Sequence, residues 1–233
     1  PPWGPLSANA ALAAAVVLSA TTAKLPQRAG WGQELDGVRG RHPVRPPAHP
    51  AGEPALDPLA AALPPDATVS PDVGLHQMWA AHRLDLSAGR DWITSGGAGT
   101  MGFGVPAAIG AKAAAPDRDV VCVTGDGSLL MHLQELVTAA AERLPIKVVL
   151  LDNTSLGMVR AQQDRFLGGA FAADLGAGPD WPLLARACGL EVAASVDELM
   201  AAEGPALLHV PIPEAAECLP MVAPGATTAA MLA

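Results

Sequence analysis

The sequence predicts an α/β fold, a doubly wound and mostly parallel sheet with helices on both faces. Three features predict it. Two apolar, largely β-branched runs, Asp119 to Thr124 and Ile146 to Leu151, have the unalternating character of strands buried on both faces. Between them, Ser128 to Arg143 sets Leu129, Leu130, Leu133, Leu136, Val137 and Ala140 at helical spacing, as a helix packed on a sheet requires. Beyond them, strand-like and helix-like segments go on alternating, the pattern of βαβ units joined into one sheet.

In chain order, Ser7 to Ala23 is an uncharged, Ala-rich run, too weakly apolar for a membrane span and without the basic start of a signal peptide. It reads as a helix from a neighbouring domain, and a start at Pro1 without Met fits a fragment or a processed piece. Trp31 to Pro54 is rich in Pro, Arg, His and Gly, with no period longer than a turn, so a surface linker is expected. Its basic cluster (Arg39, Arg41, His42, Arg45) reads as solvated. Residues 1–54 are therefore expected to be the remnant of a preceding domain plus linker, and 55–233 one further domain.

Asp57 to Leu63 should form a short helix stopped by Pro64 and Pro65. Ala67 to Ser70 reads as a first strand leading into Asp72 to Trp79. Gly74 and His76 fall at the strand-to-helix turn, where a His alone is either a phosphate contact or a solvent-edge residue. Gly97 to Gly102 matches the dinucleotide pattern G-x-G-x-x-G, but Arg90 to Ser95 before it is too polar and short for the buried strand that fingerprint needs. The glycines still mark a place where something bulky lies against the backbone. Phe103 to Ala115 reads as a small-residue helix with Pro106 tolerated in its first turn.

In the central unit, Gly127 keeps the first helical turn uncrowded, Ser128 is expected to cap the helix, and Pro145 ends it. Arg160 to Phe166 should be helical and Leu167 to Pro179 a Gly-rich loop. Trp181 to Cys188 is a helix ended by Gly189. Val192 to Ser195, Val196 to Ala202 and Ala206 to Val210 finish as strand, helix and strand.

Composition excludes several classes of function. A net charge of −9 opposes nucleic-acid or anionic-membrane binding. Cys122, Cys188 and Cys218 are odd in number and far apart, which points to buried thiols in a reducing compartment, the cytoplasm, and not to disulfides or zinc. With aromatics at only 3% and no Tyr, the core must rely on small side chains and close packing.

The chemistry follows from a right-handed βαβ connection. Asp126 and Asn153 then emerge at the same carboxyl edge of a parallel sheet, where open α/β sheets bind ligands. A carboxylate, a carboxamide oxygen and a turn carbonyl make a hard-oxygen set suited to Mg²⁺, and the adjoining helix N-terminus suits a phosphate. An Asp and an Asn that serve only as turn and cap residues fit the same spacing.

Four motifs in order carry a family resemblance: Asp72 to Trp79 (DVGLHQMW), Gly99 to Gly110 (GTMGFGVPAAIG), Gly125 to Ser128 (GDGS), and Asp152-Asn153 with Leu156 to Met158. Together they resemble thiamine diphosphate enzymes, in particular the acetohydroxyacid synthase (acetolactate synthase) large subunit, whose C-terminus Leu219 to Gly225 also resembles. The resemblance spans about Trp31 to Leu232 and makes 55–233 the diphosphate-binding domain. It implies Mg²⁺ held by Asp126, Asn153 and the Ser155 carbonyl, and a diphosphate held by Gly127, Ser128 and His76, with Gly74 permitting close approach. It further implies Gly99 facing the aminopyrimidine, Met101 wedged beneath the thiazolium, and Gly157 and Met158 on the reaction side, with both methionines in catalytic positions. The implied reaction decarboxylates a 2-oxo acid such as pyruvate and joins the product to a second 2-oxo acid.

Three positions depart from the family pattern. Leu75 stands where Gln is usual, Gln162 where a pocket-shaping Trp is usual, and Val196 to Pro205 is short for the usual helix. Gln162 keeps another thiamine-dependent decarboxylase or carboligase open, and Leu75 a degenerate, non-catalytic binding partner. The family also has a pyrimidine-binding domain with an activating Glu and a middle domain holding FAD, neither of which fits before Asp57. The expected partners are therefore 2-oxo acids, a pyrimidine-binding domain from another chain, and further subunits in a homo- or hetero-oligomer. FAD binding should be weak or absent, and the chain alone close to inert.

Overall fold

The computed structural model describes residues 29–41, 51–86, 89–214, 216–227 and 230–232. The chain divides into two compact units, Pro1–Arg45 and Pro46–Ala233. In the first, helix α1 (Ala29–Arg41) replaces part of the expected linker. That stretch contains no proline, so nothing blocks the helical hydrogen-bond ladder; the prolines begin at Pro43. The Ser7 to Ala23 run, and His42 and Arg45 of the basic cluster, lie outside the described residues.

The second unit contains the predicted sheet. Strands β1 (Thr68–Pro71), β2 (Asp91–Trp92), β3 (Val120–Gly125), β4 (Lys147–Asp152), β5 (Glu191–Ala193) and β6 (Ala206–Pro211) form six parallel strands in the order β2-β1-β3-β4-β6-β5. Between them run helices α2 (Glu53–Ala62), α3 (Leu75–Arg83), α4 (Gly104–Ala114), α5 (Asp126–Met131), α6 (Glu135–Ala141), α7 (Gly157–Phe166), α8 (Trp181–Ala187) and α9 (Val196–Ala201). A short antiparallel pair, β7 (Met221–Val222) and β8 (Met231–Leu232), lies outside the sheet.

Alternation along the central strands fills two cores. Val121, Val123, Val149, Leu151 and Leu208 pack with α2, α3 and α9. Val120, Cys122, Val148, Leu150 and Leu207 pack with α4, α5, α6 and α8 around Trp181. Because both faces are covered, the strands read as continuous apolar runs. None of the cysteines is in a disulfide. Among the described residues, no helix is long and apolar enough to cross a membrane.

Two local expectations need correction. The helix after Gly125 is not continuous to Arg143. It breaks after Met131 and resumes at Glu135, so Leu129, Leu136 and Ala139 face the sheet, whereas Leu130 and Val137 are 40% and 52% exposed. The α2 helix also starts four residues before Asp57, at Glu53, because Pro54 sits in its first turn, where a missing N–H costs nothing.

Strand order fixes where a ligand can lie. From β1 the chain moves outward to β2, and from β3 it moves the opposite way to β4. The crevice between the carboxyl ends of β1 and β3 is therefore the topological switch point. Register brings the third strand into line, since Gly125 pairs with Leu151 and Pro71 with Val123.

Candidate cofactor site

A cavity of about 250 Å³ opens at this switch point. The β1–α3 turn contributes Val73 to His76, the β3–α5 turn Gly125 to Ser128, and the β4–α7 turn Ser155 to Val159. Gly99 and Met101 close it from the Gly-rich segment before α4. Of the residues singled out from sequence, Gly74, His76, Gly99, Met101, Asp126, Gly127, Ser128, Ser155, Gly157 and Met158 all line it. Asn153 does not, but it is buried beside it: a Cβ on Gly157 would stand 2.6 Å from its Nδ2. That amide donates to the Glu214 carbonyl at 3.5 Å.

His76 is buried and is not a solvent-edge residue. Its ring lies between two glycines. A Cβ on Gly74 would meet Cε1 at 2.5 Å, and one on Gly125 would meet Nδ1 at 2.7 Å, so neither position accepts a side chain. Nε2 is buried without a hydrogen-bond partner. Burial pulls the imidazole down to a pKa of about 3, opposed by its hydrogen bond to the Asp72 carbonyl, so the ring is neutral near pH 7. The unfolded chain protonates this ring below the ordinary value of 6.5, whereas the folded chain does not until about 3. Stability is therefore lost as pH falls through that window. Relative to His76→Gln, the chain should lose about 2 kcal/mol between pH 7 and pH 5. Urea unfolding at both pH values checks this; parallel curves for the two chains would refute it.

Ser128 does something other than the capping expected of it. Gly125 occupies the cap position of α5, and the Ser128 hydroxyl donates 2.8 Å to the Val73 carbonyl, tying the two turns together. A Cβ on Gly127 would lie 2.6 Å from Leu156 Cδ2, so any side chain there would push Leu156 aside.

The acidic groups are arranged in depth. Asp126 accepts from the Ser155 amide at 3.1 Å and from the Gly127 amide, and its carboxyl is hydrogen-bonded to that of Asp152. Burial, and then the Asp152 charge, push Asp126 up to about 6. Asp152 accepts from the Thr154 amide at 3.0 Å, from Trp181 Nε1 at 2.9 Å and meets His209 Nε2 at 2.9 Å. Burial opposes its ionisation, but His209, the Thr154 amide and the hydrogen bond with Asp126 together hold it below the usual carboxylate range. Asp152, Trp181 and His209 were not singled out from sequence. Asp152 carried a signal, as the residue before Asn153; its partners stand 29 and 57 residues away and carried none.

Asp72 is the other group that sequence reasoning passed over. Only 1% exposed, it accepts from the amides of Val73, Gly102 and Gly104 at 2.8, 2.9 and 3.1 Å. Burial raises its pKa despite these bonds.

The residues fit a magnesium diphosphate. The unpartnered His76 Nε2 and the glycine walls leave room and a polar contact for an anion beside the start of α5. Among the described residues there is no cluster of three His, Cys, Asp or Glu able to hold a metal. The residues that could hold a cation there are instead one carboxylate (Asp126), one carboxamide (Asn153) and the Ser155 carbonyl, which accepts from the Gly157 amide at 2.8 Å and retains a second lone pair. Such a set suits a hard cation whose remaining ligands come from phosphate and water.

Comparison with known proteins agrees with this geometry. Residues 72–210 match the family described as thiamine pyrophosphate enzyme, C-terminal TPP binding domain. The chain is 40% identical over 220 residues to the acetolactate synthase isozyme 1 large subunit of Escherichia coli, an alignment covering 88% of this chain and 39% of that protein. It is 43% identical over 234 residues to the acetolactate synthase large subunit of Parasynechococcus marenigrum, covering 95% of this chain and 38% of that one. With the chloroplastic acetolactate synthase of Arabidopsis thaliana the identity is 42% over 178 residues, 69% of this chain and 27% of that one. The chain thus spans about two fifths or less of the length of these relatives. It belongs to the thiamine pyrophosphate enzymes, and its matched region is their C-terminal cofactor-binding domain.

Proposed function

We propose that the chain binds thiamine diphosphate with Mg²⁺ as part of an acetolactate synthase-like carboligase. That enzyme would decarboxylate pyruvate and join the product to a second 2-oxo acid. The observation that carries the reading is the buried, partnerless His76 Nε2 in a glycine-walled cavity at the switch point. When bound, the cofactor supplies the nucleophilic carbon and the electron sink, and the chain's residues bind and orient it.

In this reading Asp126 and Asn153 hold Mg²⁺ by side chain and Ser155 by its carbonyl. Gly127 and Ser128 present the first turn of α5 to the diphosphate, and Gly74 allows its close approach. The same anion favours protonation of His76, which then donates from Nε2. Gly99 faces the aminopyrimidine, Met101 holds the cofactor bent, and Gly157 and Met158 bound the side on which the 2-oxo acid arrives. Leu75, 4% exposed and lining the cavity, supplies no hydrogen bond where the family usually has Gln, so the diphosphate depends more heavily on His76 and Ser128. A pyrimidine-binding domain completes the site from across a subunit interface and brings the activating Glu.

Gln162 favours a second reading, in which the same half-site serves a related decarboxylase or carboligase with a different acceptor. Product analysis with pairs of 2-oxo acids separates the two.

Calorimetric titration tests the binding claim. Thiamine diphosphate should bind at one site per chain only with Mg²⁺ present, and acetolactate should form only after a pyrimidine-binding domain is added. Absence of binding even with that domain supplied would leave a degenerate binding module. Acetolactate formed by this chain alone would overturn the shared-site reading.

A further inference from the structure

We propose that Asp72 is a positioning residue that sets the cofactor-facing turn Gly99–Phe103 by capping α4 from the neighbouring strand, an inference that rests on reading the cavity as a thiamine diphosphate site. Helix α4 has Phe103 at its cap position and so receives no side-chain cap of its own. The amides of Gly102 and Gly104 at its start would be orphaned. Instead they donate to the two oxygens of Asp72, which lies 30 and 32 residues earlier in the chain at the end of β1. The contact is close on both sides. A Cβ on Gly104 would stand 2.9 Å from the Asp72 Cβ, and the Ser70 hydroxyl donates 3.0 Å to the Gly104 carbonyl.

The other end of the turn is fixed separately. The Gly99 amide donates to the Ser95 carbonyl and the Thr100 amide to the Ser95 hydroxyl, each at 3.0 Å. Met101 and Gly99, which line the cavity, are thus held between Ser95 and Asp72. Gly102 has φ +83°, and a Cβ there would lie 2.2 Å from His132 Nδ1, so the turn has no slack toward α5. Asp72 also adjoins Val73, whose carbonyl accepts the Ser128 hydroxyl. The short stretch just after β1, Asp72-Val73, therefore ties the wall carrying Met101 to the turn carrying Ser128.

A carboxylate suits this task better than an amide. Both of its oxygens accept, whereas Asn offers one acceptor and sets its own N–H against a backbone N–H. Of the diphosphate contacts, Gly127 and Ser128 belong to the β3–α5 turn, and His76 bonds the backbone carbonyl of Asp72, which a side-chain substitution leaves in place. Loosening the Gly99–Phe103 turn should therefore weaken grip on the cofactor's rings and largely spare grip on its phosphates.

Titration of the full chain with Mg²⁺-thiamine diphosphate and with Mg²⁺-inorganic diphosphate tests this. In Asp72→Ala and Asp72→Asn the thiamine diphosphate affinity should fall about tenfold, and inorganic diphosphate affinity by less than about twofold. Amide exchange should quicken at Met101 to Gly104 and stay unchanged at Gly125 to Ser128. Asp72→Asn keeps volume and one acceptor, and it carries the test if the alanine chain does not fold. Equal losses for both ligands, or unchanged thiamine diphosphate affinity, would make Asp72 merely structural. Failure of the unaltered chain to bind thiamine diphosphate would instead overturn the cofactor reading, and this inference with it.

Discussion

Replacing Asp126 with alanine should lower the affinity for Mg²⁺ and thiamine diphosphate by about 100-fold or more and leave the fold intact. Outer-shell partners of metal ligands typically contribute about 10–100-fold, and the sole carboxylate of a donor set should contribute at least the top of that range. The fold is spared because this side chain is poorly placed for stability. It is buried, its carboxyl touches that of Asp152, and its pKa is pushed up to about 6. Alanine forfeits the bonds from the Ser155 and Gly127 amides, at about 1 kcal/mol each, but also removes a desolvated acid from beside a second one. Thermal melts should therefore agree within a few degrees without ligand. Saturating the unaltered chain to 100 times its Kd adds about 2.7 kcal/mol, and the variant should lack that gain. Asp126→Asn, which keeps an acceptor for Ser155, should behave alike, because the cation needs the charge. Retention of affinity within about fivefold in both variants would remove Asp126 from the metal site.

How much of this was legible depended on sequence distance. Strands β3 and β4 were readable to within a residue, because a parallel strand buried on both faces leaves a continuous apolar run. That Asp126, His76 and Met101 belong near one another at the carboxyl edge was readable because their motifs are local. Asp72 was quoted within a motif, but its work was hidden. Nothing local shows that β1 lies beside β3, so nothing shows that the residue just after β1 caps a helix beginning at Gly104. The Asp152, Trp181 and His209 cluster was hidden for the same reason. The break between α5 and α6 escaped because Leu130 and Val137 keep helical spacing while being exposed; periodicity records apolar positions, not which of them reach the sheet. Helix α1 escaped because glycines in its stretch read as turns.

Trp181 is expected to be the costliest core position tested by truncation, with Trp181→Ala losing about 3–5 kcal/mol. At 1% exposure it lies in the core beside Leu136, Ile146, Val148, Leu150 and Leu207. The helix it begins is set by Asp180, whose side chain accepts the Leu183 amide at 2.9 Å, and by Pro182 in the first turn. Its indole also donates to Asp152, so alanine removes packing and a donor to a partly buried carboxylate together. Trp181→Phe separates these effects. The ring volume is largely retained, while Asp152 keeps the Thr154 amide and His209 but loses the 2.9 Å bond from Nε1. The phenylalanine chain should lose about 1–3 kcal/mol, the range for leaving a buried acceptor short of a donor. It should also bind Mg²⁺-thiamine diphosphate less tightly than the unaltered chain, by about 3–10-fold, because Asp152 backs the carboxyl of Asp126. Urea unfolding gives the first quantity and calorimetry the second. If Trp181→Ala unfolds within about 1 kcal/mol of the unaltered chain, the indole is not buried as described. If Trp181→Phe loses stability but no affinity, the core and the cofactor site are not linked through Asp152.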